Sequence, residues 1–149
     1  MEALTCNCSS LRSAARTLTQ AYDEVLRPSG LRVTQFSILA RLAAVGEVNI
    51  AEFSHMLAMD RTTLARNLRP LERENLVLIR VGQDRRERLI GLSRAGEAVL
   101  NQALPLWKSV HERFESMFGQ ERARNLRKQL GDVTQAGRAL YEQDRPATI

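Results

Sequence analysis

Two short β-rich runs, Leu76-Val77-Leu78-Ile79-Arg80-Val81 and Arg88-Leu89-Ile90-Gly91-Leu92, interrupt a chain whose apolar residues otherwise recur at helical spacing. The six residues Gly82 to Glu87 between them suit a hairpin connection, with Gly82 able to adopt the turn geometry. A lone hairpin is not stable in water and has to lie on a helical framework. Its tip, which holds Asp84, Arg85, Arg86 and Glu87, buries nothing. It is either solvated or in contact with something negative.

The framework can be read around it. Ser9 to Leu26 is expected to be helical, with Leu11, Ala14, Ala15, Leu18, Tyr22, Val25 and Leu26 at three- and four-residue spacing. Arg27-Pro28-Ser29-Gly30 breaks that helix. Thr34 to Val45 forms a second, with Thr34 as N-cap and Gly46 as its stop. Glu47-Val48-Asn49 is an extended link, and Ile50 to Leu57 a short third helix. Asp60 caps a fourth, which runs to about Glu74 and turns Leu64, Leu68 and Leu71 inward. Pro70 predicts a bend or early fraying near its end. Ser93 caps a long helix to about Phe118, kinked near Pro105, and Gly119 separates it from a last helix over Gln120 to Gln143. Ala123, Leu126, Leu130, Val133, Gly137 and Leu140 give that last helix the seam of helices packed lengthwise.

The fold class that follows is mainly α with a small β-hairpin wing: a winged helix-turn-helix over residues 34–92, flanked by long helices over 9–26 and 93–143. The apolar stripes of the flanking helices are wider than the small middle can cover, so dimerisation is their simplest use. The 149 residues suit one domain. No apolar run approaches the ~18 residues of a membrane span, and MEALTCNCSSLRS lacks the layout of a secretion signal. A cytoplasmic protein without a membrane partner is therefore expected.

Composition matters here for where its charge falls. The net charge is +5, and all basic residues except Lys108 and Lys128 are arginine. Arginine-rich codon usage and a polyanion-binding surface both fit that total. Between Asp60 and Ile90 lie arginines 61, 66, 69, 73, 80, 85, 86 and 88 against acids 60, 72, 74, 84 and 87, which is +3 in about a fifth of the chain. A recognition helix enters the DNA major groove by its N-terminal end. Arg61, Thr62, Thr63, Arg66 and Asn67 suit that place, since arginine can bond guanine, asparagine adenine, and a threonine methyl the thymine methyl. Arg85 and Arg86 on the hairpin tip could reach a neighbouring minor groove, whose negative potential attracts arginine. Asp84 would hold a guanidinium in place by a charge-assisted bond. Double-stranded DNA is the expected partner.

No nucleophile–base pair, phosphate-cradling glycine loop or metal-ligand cluster is evident, so neither an enzyme nor a metal or cofactor is expected. His55 on the short third helix is placed for solvent or a phosphate. The competing reading is a helical protein-interaction module with a solvated basic hairpin.

The segment LAMDRTTLARNLRPLERENLVLIRVGQDRRERLIGLSRAGEAVL resembles the MarR family of bacterial winged-helix regulators. The matching features are Asp60 with Thr63, Leu71, the ENLV turn at Glu74 to Val77, the arginines after Asp84 and the LSRAGEAVL helix start. The resemblance covers about Ser9 to Gly137. It implies a two-fold dimer on a pseudo-palindromic operator, usually as a repressor, with Arg86 inserted into the minor groove and Asp84 supporting it. The chain departs from the family at Asn75, where glycine is usual, but asparagine also tolerates the left-handed conformation. Pro70 is a second departure.

Release from DNA in such a family uses a small ligand or thiol oxidation. Cys8 is expected just before the first helix, and a helix N-terminus favours a thiolate, which makes it a candidate for oxidation to sulfenic acid. Cys8 with Tyr22 resembles the reactive cysteine and tyrosine of the family's organic-hydroperoxide sensors; a second expected tyrosine would fall at Val33, and Cys6 is the other thiol. The alternative is a small molecule held between the first, second and fifth helices, with Arg12, Arg16 and Trp107 as candidate contacts.

Overall fold

The computed structural model describes residues 5–143. In chain order they form α1 (Asn7–Leu26), a single 3-10 turn at Arg27–Ser29, α2 (Val33–Val45), β1 (Val48–Asn49), α3 (Ile50–Met56), α4 (Arg61–Arg73), β2 (Val77–Val81), β3 (Arg88–Leu92), α5 (Arg94–Phe118) and α6 (Gln120–Gln143). The chain divides into two compact units, with the boundary inside α5 after Val110.

The first unit holds the helix-turn-helix and the wing. Its centre is made of Leu26, Ile38, Leu39, Leu42, Phe53, Leu64, Leu71, Val77 and Ile90, all fully buried. Every helix from α1 to α4 and both wing strands thus contribute to one core, and burial of this kind supplies most of the stability. Phe36 of α2 and Trp107 of α5 stack with ring centroids 5.6 Å apart.

The sheet is antiparallel and has three strands in the order β1-β3-β2. Val48 pairs with Ile90, and Val77 to Val81 pair with Leu92 to Arg88. The extended link at Val48–Asn49 is therefore a third strand, which the sequence reading missed. Two residues are too few to show a period-two pattern.

Four local details differ from expectation. Helix α1 starts two residues early, because the Cys6 carbonyl accepts both the Ser10 N–H (3.1 Å) and its hydroxyl (3.2 Å). Cys8 consequently sits inside the first turn rather than before it. Thr34 is not the cap of α2, which begins at Val33: Asp23 of α1 accepts the Val33 N–H at 2.7 Å, and the Gln35 side chain accepts the Arg32 N–H at 2.9 Å. Helix α4 does not fray at Pro70 but continues to Arg73, where Leu68 and Leu71 hold it on the core. Gly82 does not adopt a positive φ; its lack of a side chain matters because a Cβ there would lie 2.8 Å from that of Glu87.

Helices α3 and α4 close alike. The N–H groups of Ala58 and Met59 return to His55 and Ser54 carbonyls, and those of Asn75 and Leu76 to Glu72 and Leu71. Each is the paired-bond helix ending that places one residue in the left-handed region, here Ala58 at φ 51° and Asn75 at φ 56°. Ser93 then ties α5 to this corner: its hydroxyl donates to the Asn75 carbonyl (2.6 Å) and accepts the Gly96 N–H (2.9 Å). Gly96 is confined by contact, since a Cβ would fall 2.0 Å from the Leu76 oxygen.

In the second unit, Phe114 and Phe118 stack at 5.4 Å and the Arg122 guanidinium lies 4.4 Å above Phe118. Glu115 accepts from Arg127 at 2.7 Å, which holds its carboxyl below the usual range. Leu130, Val133, Leu140 and Tyr141 on α6 are exposed. No described helix is long and apolar enough to cross a membrane.

Candidate nucleic-acid interface

Helix α4 is fixed at its start by Asp60. One carboxylate oxygen accepts the Thr63 N–H at 2.9 Å and the other the Thr63 hydroxyl at 2.6 Å. These two bonds, the hydroxyl first, hold the Asp60 carboxyl below the ordinary aspartate range. A charged cap also offsets the partial positive charge of the helix start.

The predicted readers separate into two groups once the helix is built. Thr62 and Arg66 are exposed on the face opposite Leu64, Leu68 and Leu71, with Arg69 continuing that face, while Arg61 is exposed at the first residue of the helix, on the leucines' side. Thr63 and Asn67 are half-buried and engaged. The Thr63 hydroxyl serves the cap, and the Asn67 amide donates to the Thr63 carbonyl at 2.8 Å. Asn67 would have to give up that bond to present its full amide edge to a base.

The wing tip is held by main-chain bonds. The Gly82 N–H reaches the Glu87 carbonyl (3.1 Å) and the Glu87 N–H the Asp84 carbonyl (2.9 Å). Asp84 does not hold a guanidinium as expected. Its carboxylate accepts the Arg86 backbone N–H at 2.9 Å, an aspartate turn that sets the direction of the chain beneath the Arg86 side chain. Arg88 closes the tip from behind by donating to the carbonyls of Arg85 (3.0 Å) and Glu87 (3.3 Å). Arg85 and Arg86 are exposed. Together the tip and α4 present a basic, polar surface in a chain with no group of three or more potential metal ligands among its described residues.

Sequence reasoning missed a further feature. Glu47, between α2 and β1, grips Arg80 of β2 through both carboxylate oxygens; Arg80 Nε donates at 2.6 Å, and Nη2 bonds the other oxygen. This lowers the Glu47 carboxyl from its usual range and raises Arg80. The available signal was Gly91, since a glycine inside a strand often marks close approach of another segment.

Cys6 and Cys8 are exposed free thiols, at the cap and in the first turn of α1. Tyr22 is buried in the core of its own chain and lies about 21 Å along the helix axis from Cys8 at the standard rise. The two are not brought together within one chain. Arg12 and Arg16 are exposed on α1, while Trp107 is committed to its stack on Phe36.

Comparison with known proteins gives a consistent picture. No family model matches the chain. The crystal structure of the M. tuberculosis transcriptional regulator MosR in complex with DNA is similar at a TM-score of 0.84 and 38% identity, over 91% of this chain and 98% of that one. A MarR-family transcriptional regulator from Rhodococcus sp. RHA1 shares the fold, with TM-score 0.72 and 22% identity over 83% of this chain and 89% of its own. An uncharacterized HTH-type transcriptional regulator of Bacillus subtilis, YwoH, is 31% identical over 87 residues, 58% of this chain. The match spans 64% of that curated relative, less than two thirds of its length. The capped basic helix, the arginine-tipped wing and the near full-length similarity to MosR place this chain in the MarR family of winged helix-turn-helix transcriptional regulators.

Proposed function

We propose that two copies of this chain form a two-fold dimer that binds a pseudo-palindromic operator in double-stranded DNA and represses transcription. The observation that carries this reading is the pairing of two exposed basic elements on one core. Helix α4 offers Arg61, Thr62 and Arg66 to a major groove, and the wing offers Arg85 and Arg86 to the adjacent minor groove. The DNA complex of the similar MosR supports it. The exposed Leu130, Val133 and Leu140 on α6 supply apolar surface that a second copy would cover. Thr63 acts as the second half of the cap, and Asn67 joins the base contacts after releasing Thr63.

The signal is oxidation of Cys8, with Cys6 as the neighbouring thiol. Both are exposed at the start of α1. Attack of the Cys8 sulfur, as thiolate, on a hydroperoxide breaks the O–O bond and gives a sulfenic acid and an alkoxide, which takes a proton from water to leave as the alcohol. A small-molecule effector is the alternative signal.

The test begins with selection of duplexes from random sequence by the purified chain, followed by titration against salt. Affinity should fall steeply from low to moderate salt, as several phosphate contacts require, and the selected sites should show two related half-sites. Arg66→Ala should lose about 1–3 kcal/mol of discrimination at one base pair per half-site. Hydroperoxide should release the wild type but not Cys8→Ser. A salt-insensitive chain with no preferred duplex is a protein-interaction module instead; release of Cys8→Ser by oxidant would point to a ligand signal.

A further inference from the structure

Resting on the reading of the wing as a DNA-contacting element, we propose that Glu47 is a positioning residue: through Arg80 it straps the outer wing strand to the end of α2 and so aims the tip that carries Arg86.

The strap is built by the sheet. Strand β1 pairs only with β3, through Val48 with Ile90 and Asn49 with Leu89. Strand β2 lies on the other side of β3, where Gly91 pairs with Leu78 and Leu89 with Arg80. Side chains alternate between the faces of a sheet. Val48, Ile90, Ile79 and Val77 occupy the core side, so Glu47, Gly91, Leu78 and Arg80 share the solvent side. Along that face the Glu47 carboxylate crosses the central strand diagonally and binds Arg80 with both oxygens. The lane it uses is Gly91: a Cβ there would already lie 3.7 Å from the Glu47 Cβ, and a longer side chain would stand in the path. The carboxylate thus reaches the one wing strand that the backbone of β1 does not.

The core seats the base of the wing through Val77 and Ile90, and the strap adds a hold on the solvent face of the wing, nearer its tip. Strand β1 is two residues long, and among the described residues the tip from Gly82 to Glu87 is bonded to itself and to Arg88. A small rotation of a hairpin with five-residue strands about its base is largest at its tip, where Arg86 sits. A planar guanidinium held by two oxygens resists rotation in a way a single contact does not.

Simple charge balance gives the opposite expectation. If Glu47 only neutralised the wing, removing it would free Arg80 and tighten binding to a polyanion. If it positions the wing, removing it weakens binding despite the gain in positive charge. The experiment measures affinity of the full chain, by fluorescence anisotropy at fixed salt, for the duplex that the wild type selects from random sequence. Glu47→Gln should bind about five-fold more weakly, the upper end for an exposed pair of good geometry. Glu47→Arg should also be weaker, and the exchanged double variant Glu47→Arg/Arg80→Glu should recover to within about two-fold of the wild type, the tolerance expected of a restored pair. In an Arg86→Ala background Glu47→Gln should cost nothing more, because the tip it aims no longer reads. Tighter or unchanged binding by Glu47→Gln, or the same five-fold loss without Arg86, overturns the proposal. An Arg86→Ala chain that binds like the wild type instead removes the wing from DNA contact altogether, which is a failure of the reading beneath it.

Discussion

Helix α4 and the wing tip both hold arginines out to solvent, but by opposite means. Behind Thr62 and Arg66 stand Leu64, Leu68 and Leu71, each almost wholly buried. Behind Arg85 and Arg86 stands only a hydrogen-bonded loop: an aspartate turn at Asp84, the Gly82–Glu87 closure and the Arg88 clamp. The helix surface is an outgrowth of the core, so changing its inner face changes the fold. The tip is directed by polar bonds alone and can vary without cost to the core. A molecule built this way separates a basic surface set on the core from a basic surface set on a polar loop.

The sharpest contrast comes from truncating one residue behind each surface. Leu64→Ala removes a fully buried side chain from the junction of α4 with the core and should destabilise the chain by about 2–5 kcal/mol, read as a large fall in denaturation midpoint. Arg86→Ala, exposed on the tip, should leave the midpoint where it is and act on DNA affinity alone. Equal destabilisation by both would mean that the tip is part of the cooperative core.

A smaller effect tests whether the helix start is held electrostatically. Asp60→Ala removes both bonds to Thr63 and should lower Tm by a few degrees at neutral pH. The folded carboxyl titrates below its ordinary value. Its contribution is therefore complete above the unfolded aspartate value of about 3.9, and it is lost as pH falls through the lower folded one. The gap between wild type and Asp60→Ala should narrow below about pH 4 and close in stronger acid. A gap that persists unchanged there would assign the cap to shape rather than charge.

The same contrast explains how much was legible in the sequence. Element order, the Asp60 cap, the Ser93 cap and the inward leucines of α4 all express local spacing, and local spacing is visible in one dimension. The exposed arginines of α4 and the tip were legible for the same reason. What failed was non-local. The Asp23 cap on α2 acts across ten positions and the Glu47–Arg80 pair across 33, and no pattern within a single segment reports either. Strand β1 exists only because β3 lies beside it. The roles of Thr63 and Asn67 were blurred differently. Both have side chains suited to bases, but both are half-buried and already bonded within the helix, so residue type overstated their freedom.

The smallest effect concerns the two left-handed residues that end the helices of the motif. Ala58 and Asn75 occupy equivalent places, with φ of 51° and 56° and the same pair of returning N–H bonds. In alanine the Cβ crowds the following carbonyl in this conformation, a cost of roughly 1–2 kcal/mol. Asparagine bears less of it because its short polar side chain can bond locally. Glycine at either place removes the crowding but adds roughly 0.4–1 kcal/mol of unfolded-state entropy. Ala58→Gly should therefore stabilise by up to about 1 kcal/mol, whereas Asn75→Gly should be close to neutral. Because Ala58 lies in the turn that launches α4 while the helix is seated by its leucines, the gain should appear in Tm without altering DNA affinity. If Ala58→Gly instead weakens binding at unchanged or higher Tm, then strain in that turn helps to aim the helix, and the anchored element is less independent of its connections than the wing is.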